Sequence, residues 1–173
     1  MYDKIRKSAD GAFDTAVFDL TIDQPGQLGL AEWCNIKLVR DRNVPYSEQI
    51  RVRGPEDVGR FVTPFFEEQA SEVVVMLALS AANCVISAAI LSRGDISASI
   101  VSPRSAFQFL CMQNSAAGIW VHNHPSGNSD PSREDIKISR VMKEAGKIMG
   151  IPIHDSIIWT ADGIVSLTER NLI

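Results

Sequence analysis

Paired cysteines are missing from this 173-residue chain. Its three cysteines, Cys34, Cys84 and Cys111, are odd in number, far apart and form no C-x-x-C pair. That excludes a disulfide framework and a cysteine-built zinc finger. Each reads as a buried or incidental thiol, and a reducing compartment, the cytoplasm, fits such usage. An excess of positive charge is missing as well. The net charge is -4 and the pI is near 5.4, which leaves no general electrostatic footprint for nucleic acid. No apolar run is long and pure enough to span a membrane. The longest, "VVVMLALSAANCVISAAIL", is interrupted by Ser80, Asn83 and Ser87 and reads as two buried strands around a turn. The opening "MYDKIRKSADGAFD" lacks the apolar core of a signal peptide. Neither H-E-x-x-H nor the H-x-E and P-C-x-x-C pair occurs, which excludes zincin proteases and zinc nucleobase deaminases. Internal repeats and low-complexity segments are absent too.

What is present is an ordinary globular composition, 45% hydrophobic and 22% charged. A chain of this length holds one domain, or one domain with an extension. Residues 1–35 read as a loosely ordered polar extension broken by Pro25, Gly26 and Gly29, and residues 36–173 as the domain. "CNIKLVRDRNV" has β-type alternation. "PEDVGRFVTPFFEEQASE" predicts an amphipathic helix starting at Pro55 and disturbed at Pro64. "EVVVMLALS" predicts a strand that is apolar on both faces and therefore central. "NCVISAAILSRG" and "ISASIV" predict two more strands. "SPRSAFQFLCMQNSAA" predicts a helix capped by Ser102 with Pro103 in its first turn, and "GIWVHNH" a further strand. "PSREDIKISRVMKEAGKIMG" predicts a helix ending at Gly150, with an apolar stripe of Ile136, Ile138, Val141, Met142, Ala145, Ile148 and Met149. "IHDSIIWT" and "GIVSLTE" predict a closing hairpin around "ADG". This order of elements implies an α/β fold, a mixed β-sheet flanked by helices.

The chemistry concentrates in "VHNHPSGNSDPSRED", which carries two of the three histidines. Strand side chains alternate with period two, so His122 and His124 share a face and Asn123 takes the other. Two imidazoles on one face can grip a divalent ion, and a catalytic zinc usually takes three protein ligands with one position open. Asp135, one turn into the next helix, is the candidate third ligand. A purely structural reading stands beside this one. Ser132 and Asp135 form an S-x-x-D capping pattern that needs no metal.

The string resembles the JAMM signature, H-x-H-P-x6-S-x2-D, of the JAB/MPN metalloprotease superfamily, and is most similar to its RadC-like branch, whose hallmark is HNHPSG. "IRVRGPEDV", "EVVVMLALSAANCVI", "SRGDISASIVSPRSAFQFLCMQNSAAGIWV" and "MGIPIHDSII" resemble that branch too, so the likeness runs over residues 36 to 170. The resemblance implies the JAB/MPN (cytidine-deaminase-like) architecture. It also implies zinc held by His122, His124 and Asp135, with Ser132 as the oxyanion donor. An upstream glutamate, matched by Glu72 at the head of the first core strand, serves as general acid and base. The implied reaction is hydrolysis of a peptide or isopeptide bond through a metal-activated water, with a peptide or protein partner as substrate. Two departures from the branch are visible. Its usual D-P-T-P-S is Asn128 to Ser132 here, which makes Asp130 a substitute ligand ranked below Asp135. Its usual Asp-His is Asp155-Ser156 here, with His154 one place early and read as a surface or core residue. The N-terminal helix-hairpin-helix region of longer members has no counterpart in residues 1–35, so no DNA-binding role carries over. The rival reading is a non-catalytic MPN-like metal-binding module that binds a partner or assists DNA repair.

Overall fold

The computed structural model describes residues 50–94 and 102–173. The polar extension, the boundary at residue 36 and the strands expected in "CNIKLVRDRNV" and "ISASIV" lie outside these residues. Three helices and five strands follow in the order α1 (Pro55–Phe66), β1 (Val73–Leu79), β2 (Val85–Arg93), α2 (Pro103–Met112), β3 (Ala117–Asn123), α3 (Arg133–Met149), β4 (Ile153–Thr160) and β5 (Gly163–Ser166). The strands form one mixed sheet in the order β2-β1-β3-β4-β5. Only β3 and β4 are parallel, and α3 makes the crossover that a parallel pair requires. The expected α/β class, a mixed β-sheet flanked by helices, is the observed one.

β1 is buried along its whole length, and its alternate residues serve two cores. Val73, Val75, Leu77 and Leu79 meet Val58, Val62 and Phe66 of α1, together with Ile119, Val121, Ile157 and Trp159. Val74, Met76 and Ala78 face Ala106, Phe107 and Leu110 of α2 and Met142 of α3, with Trp120 between them. The sheet therefore carries α1 on one face and α2 with α3 on the other.

Three local rules shape the helices. Pro64 lies inside α1, and the helix ends soon after, at Phe66, short of the expected span. Proline has no N–H to donate, and its ring opposes the carbonyl four residues back. Ser102 caps α2 by accepting from the Arg104 amide, as its sequence predicts. Gly150 ends α3 with φ +68°, the left-handed conformation that favours glycine.

The inward face of α3 corrects the expected apolar stripe. Asp135, Ser139, Met142 and Gly146 are its buried residues, whereas Ile148 is 86% exposed and Val141 and Met149 are also exposed. Gly146 is required by close approach. A Cβ there would meet the Ile151 carbonyl oxygen at 2.8 Å and the Ile153 amide nitrogen at 3.1 Å. The helix presses its backbone against the start of β4, and a helix-wide apolar count cannot see that. No helix among the described residues is long and apolar enough to cross a membrane.

Candidate metal centre

β3 ends at Asn123, one residue before the second histidine. The His124 amide still donates to the Trp159 carbonyl at 2.9 Å, so the strand direction continues and the alternation holds. His122 and His124 therefore project together, with their Nε2 atoms 3.1 Å apart. Asp135 meets both rings. Its Oδ1 lies 3.3 Å from His122 Nε2, and its Oδ2 lies 3.6 Å from His124 Nε2.

Glu72 arrives from the sheet register. β1 and β3 pair antiparallel with Val74 opposite His122. One pleat further, the same alignment sets Glu72 opposite His124, because in an antiparallel ladder each step back along one strand is a step forward along the other. Glu72 Oε1 accordingly lies 4.0 Å from His124 Nε2. Ligand atoms of Glu72, His122, His124 and Asp135 all fall within 4.8 Å of one another. The sequence motif and the upstream glutamate thus converge on one point.

The donor set fits a divalent metal. A tetrahedral zinc ion with bonds of about 2.0–2.1 Å holds its donors roughly 3.3 Å apart. The 3.1 Å between the two Nε2 atoms is close to that value, and the Asp135 carboxylate reaches 3.3 Å from one ring with Oδ1 and 3.6 Å from the other with Oδ2. Glu72 stands slightly farther out, at 4.0 Å from His124 Nε2, within the same group. The tautomer of His124 agrees. Its Nδ1 lies 2.6 Å from the Asn128 carbonyl oxygen. A carbonyl only accepts, so Nδ1 carries a proton, and Nε2 is the nitrogen left to serve a metal once it gives up its own proton to the ion. His122 Nδ1 is buried with no hydrogen-bond partner among the described residues, so packing and the Nε2 side orient that ring.

The electrostatics favour the anion. Burial works against ionisation of Asp135, but hydrogen bonds from His122 and His124, with a further bond from Ser132, outweigh it and hold the carboxyl below the usual carboxylate range. His124 is raised above the usual imidazole range, chiefly by its hydrogen bond with Asp135 and against the effect of burial. His122 and Asp135 are buried, while the His124 and Glu72 side chains are 15% and 20% exposed. The cluster is therefore open to solvent on the Glu72–His124 side.

The capping and ligand readings of Ser132 and Asp135 prove compatible. Ser132 Oγ accepts from the Asp135 amide at 3.1 Å and donates to Asp135 Oδ2 at 2.6 Å. The Ser132 amide donates to the same oxygen at 2.8 Å, completing the capping box. The box fixes the rotamer that aims Asp135 at the imidazoles.

The two departures from the RadC-like pattern also find their places. Asn128 serves His124 through its backbone carbonyl, which any residue supplies, and its side chain accepts from the Asp130 amide at 3.0 Å. Asp130 is exposed, lies outside the cluster and pairs with Arg170 at 3.3 Å. Gly127, with φ +78°, turns the loop back so that its amide donates to the His124 carbonyl. His154 is exposed and outside the cluster. Ser156 is buried and shares a 2.7 Å hydrogen bond with Ser139 on α3. Two other glutamates near β1, Glu67 and Glu68, are exposed beyond the end of α1.

Comparison with known proteins gives the chain relatives and a family. The chain is 42% identical to a UPF0758 protein of Salinibacter ruber over 126 residues, which is 73% of this chain and 54% of the relative. It is 39% identical to a UPF0758 protein of Methanosarcina mazei over 123 residues, covering 71% and 54%. A UPF0758 protein of Clostridium beijerinckii is 38% identical over 127 residues, covering 73% and 56%. The chain thus spans about half the length of the curated relatives it matches. The profile of the RadC-like JAB domain matches residues 52–172, which include every residue of the candidate centre, and the chain belongs to that family.

Proposed function

We propose that this domain is a zinc-dependent hydrolase of the JAMM type that cleaves peptide or isopeptide bonds. The observation that carries the reading is the difference in spacing within one cluster. The two Nε2 atoms stand 3.1 Å apart, Asp135 sets one oxygen 3.3 Å from His122 and the other 3.6 Å from His124, and the Glu72 carboxylate stands at 4.0 Å on the solvent side. His122, His124 and Asp135 would hold the ion, which when bound lowers the pKa of a water and polarises a carbonyl.

The chain's own residues divide the remaining work. Glu72 accepts a proton from the attacking water and delivers it to the leaving amine nitrogen. Its partly exposed position gives it access to both. Ser132 turns its hydroxyl from Asp135 Oδ2 to the developing oxyanion. Asp135 keeps the Ser132 amide as a donor throughout, so the carboxylate is never left bare. Asn128 holds His124 in the tautomer that binds metal, and the capping box holds Asp135.

The test has two arms. Elemental analysis is expected to find about one zinc per native chain and near none in His122→Ala or Asp135→Ala. Equal, near-zero metal in all three proteins would refute the ligand set. A panel of peptide and isopeptide substrates should then reveal turnover that Glu72→Gln lowers by about 10²–10⁴-fold with zinc retained. Full zinc without turnover on any substrate would favour the rival, a metal-binding module that serves a partner.

A further inference from the structure

Asn123 is the one residue of the H-x-H element that the proposed chemistry leaves without a role. It is 1% exposed and faces α1, away from the imidazoles on either side. On that face its carboxamide bonds to the backbone. Oδ1 accepts from the Val73 amide at 2.6 Å, and Nδ2 donates to the Ser71 carbonyl at 3.2 Å. Those two backbone groups flank Glu72. We propose that Asn123 is a positioning residue for Glu72, fixing the backbone of the base to the strand that carries both histidines.

The register explains why such a device is needed. The backbone ladder between β1 and β3 runs from Leu79–Ala117 to Val74–His122 and stops there. Beyond that point β3 keeps its backbone pairing with β4 alone, the His124 amide donating to the Trp159 carbonyl. Glu72 and His124 are opposite each other but past the last backbone pair. Without another tie, the base would sit on a frayed strand end. Asn123 replaces the missing rung with its side chain, supplying one acceptor and one donor at the correct spacing. On the other side, the Gly94 amide donates to the Glu72 carbonyl at 2.8 Å. The Glu72 main chain is thus held from β2 and from β3, and its carboxylate is aimed from a fixed root. An aspartate would keep the acceptor for Val73 but lose the donor to Ser71 and set a charge against a carbonyl. An alanine would lose both bonds.

This inference rests on the reading of Glu72 as the base beside a metal. Its test reads geometry rather than turnover. Protein labelled with ¹³C-glutamate and loaded with cobalt(II) should show one strongly broadened carboxyl resonance, assigned to Glu72 by its loss in Glu72→Gln. In Asn123→Ala that broadening should fall several-fold, while the cobalt-shifted imidazole signals of His122 and His124 stay unchanged and circular dichroism reports a folded protein. Asn123→Asp should fall between the two, and it carries the test if the alanine variant does not fold. Unchanged Glu72 broadening in both variants would overturn the role. Loss of the imidazole signals together with the Glu72 signal would overturn it too, because Asn123 would then support the whole site and not the base. Native protein without any cobalt-shifted imidazole signal would overturn the metal reading itself, and this role with it. With a substrate in hand, the Asn123→Ala loss should appear in kcat rather than KM and should vanish in a Glu72→Gln background.

Discussion

The two faces of the sheet are made by the same strands and do opposite things. Toward α1 the strands present Val73, Val75, Leu77, Leu79, Ile119, Val121 and Ile157, an apolar layer with buried Asn123 and Ser166 among its polar exceptions. Toward α2 and α3 the layer begins as apolar, with Met76 and Trp120, and ends in His122, Asp135, Ser139 and Ser156, all buried and all polar. Burying such groups costs free energy unless partners are supplied. The molecule accepts that cost on one face, at the end of β3 where the candidate centre lies. It recovers cohesion on the other face, where Phe66 stacks on Trp159 at 5.6 Å between ring centroids. One face supports the fold and the other carries chemistry on it.

The sharpest way to break this comparison is on the apolar side. Phe66→Ala should cost about 3–5 kcal/mol, read by denaturant or thermal unfolding, while the zinc content per folded chain stays at the native level. A matching loss of zinc from folded protein would show that the two faces are not independent. A smaller effect is expected from Ser132→Ala, at about 1 kcal/mol for the lost cap. Because the Ser132 amide still serves Asp135, zinc should be retained and weakened rather than abolished, as an isothermal titration would report.

Acidity probes the polar face alone. Asp135 is held below the carboxylate range, so its pairing stabilises the metal-free protein above the ordinary carboxyl pKa and is lost as pH falls through the lowered value. His124 is raised, so its pairing is fully present below the ordinary imidazole pKa and fades as pH climbs through the raised value. A metal must displace that proton. The zinc-induced rise in Tm should therefore be small near about pH 5.5 and grow toward about pH 8. A rise independent of pH would contradict a histidine-ligated ion. The smallest effect belongs to the exposed pair of Asp130 with Arg170. Asp130→Ala should change stability by less than about 1 kcal/mol and leave zinc untouched, and a large loss of metal would return Asp130 to the ligand set.

Legibility in the sequence followed the range of the interaction. The in-phase histidines were readable because strand alternation is a two-residue rule, and the capping box because it spans four residues. The strands "EVVVMLALS" and "GIWVHNH" declared themselves by continuous apolar character. α3 was readable as a helix, but its buried face was not. Packing of Gly146 against the start of β4, and the buried Ser139–Ser156 bond, select an inward face of Asp135, Ser139, Met142 and Gly146 that an apolar stripe conceals. Glu72 was reachable through family resemblance alone, since a glutamate before a strand is ordinary. Asn123 could be seen to face away from the imidazoles, but its partners lie some fifty residues back along the chain.

By itself the sequence determined which side chains share a strand face, where α2 and α3 begin, and the kind of ion that two imidazoles and a carboxylate can hold. Those follow from period, capping and ligand chemistry, all local. Tertiary structure decided the rest. The β1–β3 register sets Glu72 opposite His124, the crossover through α3 returns the chain as β4 beside β3, and Asn123 closes the gap where the backbone ladder stops. Register is a choice among pairings one residue apart, each of which exposes a different face. It is made by the packing of both cores at once, and no short stretch of chain contains that information.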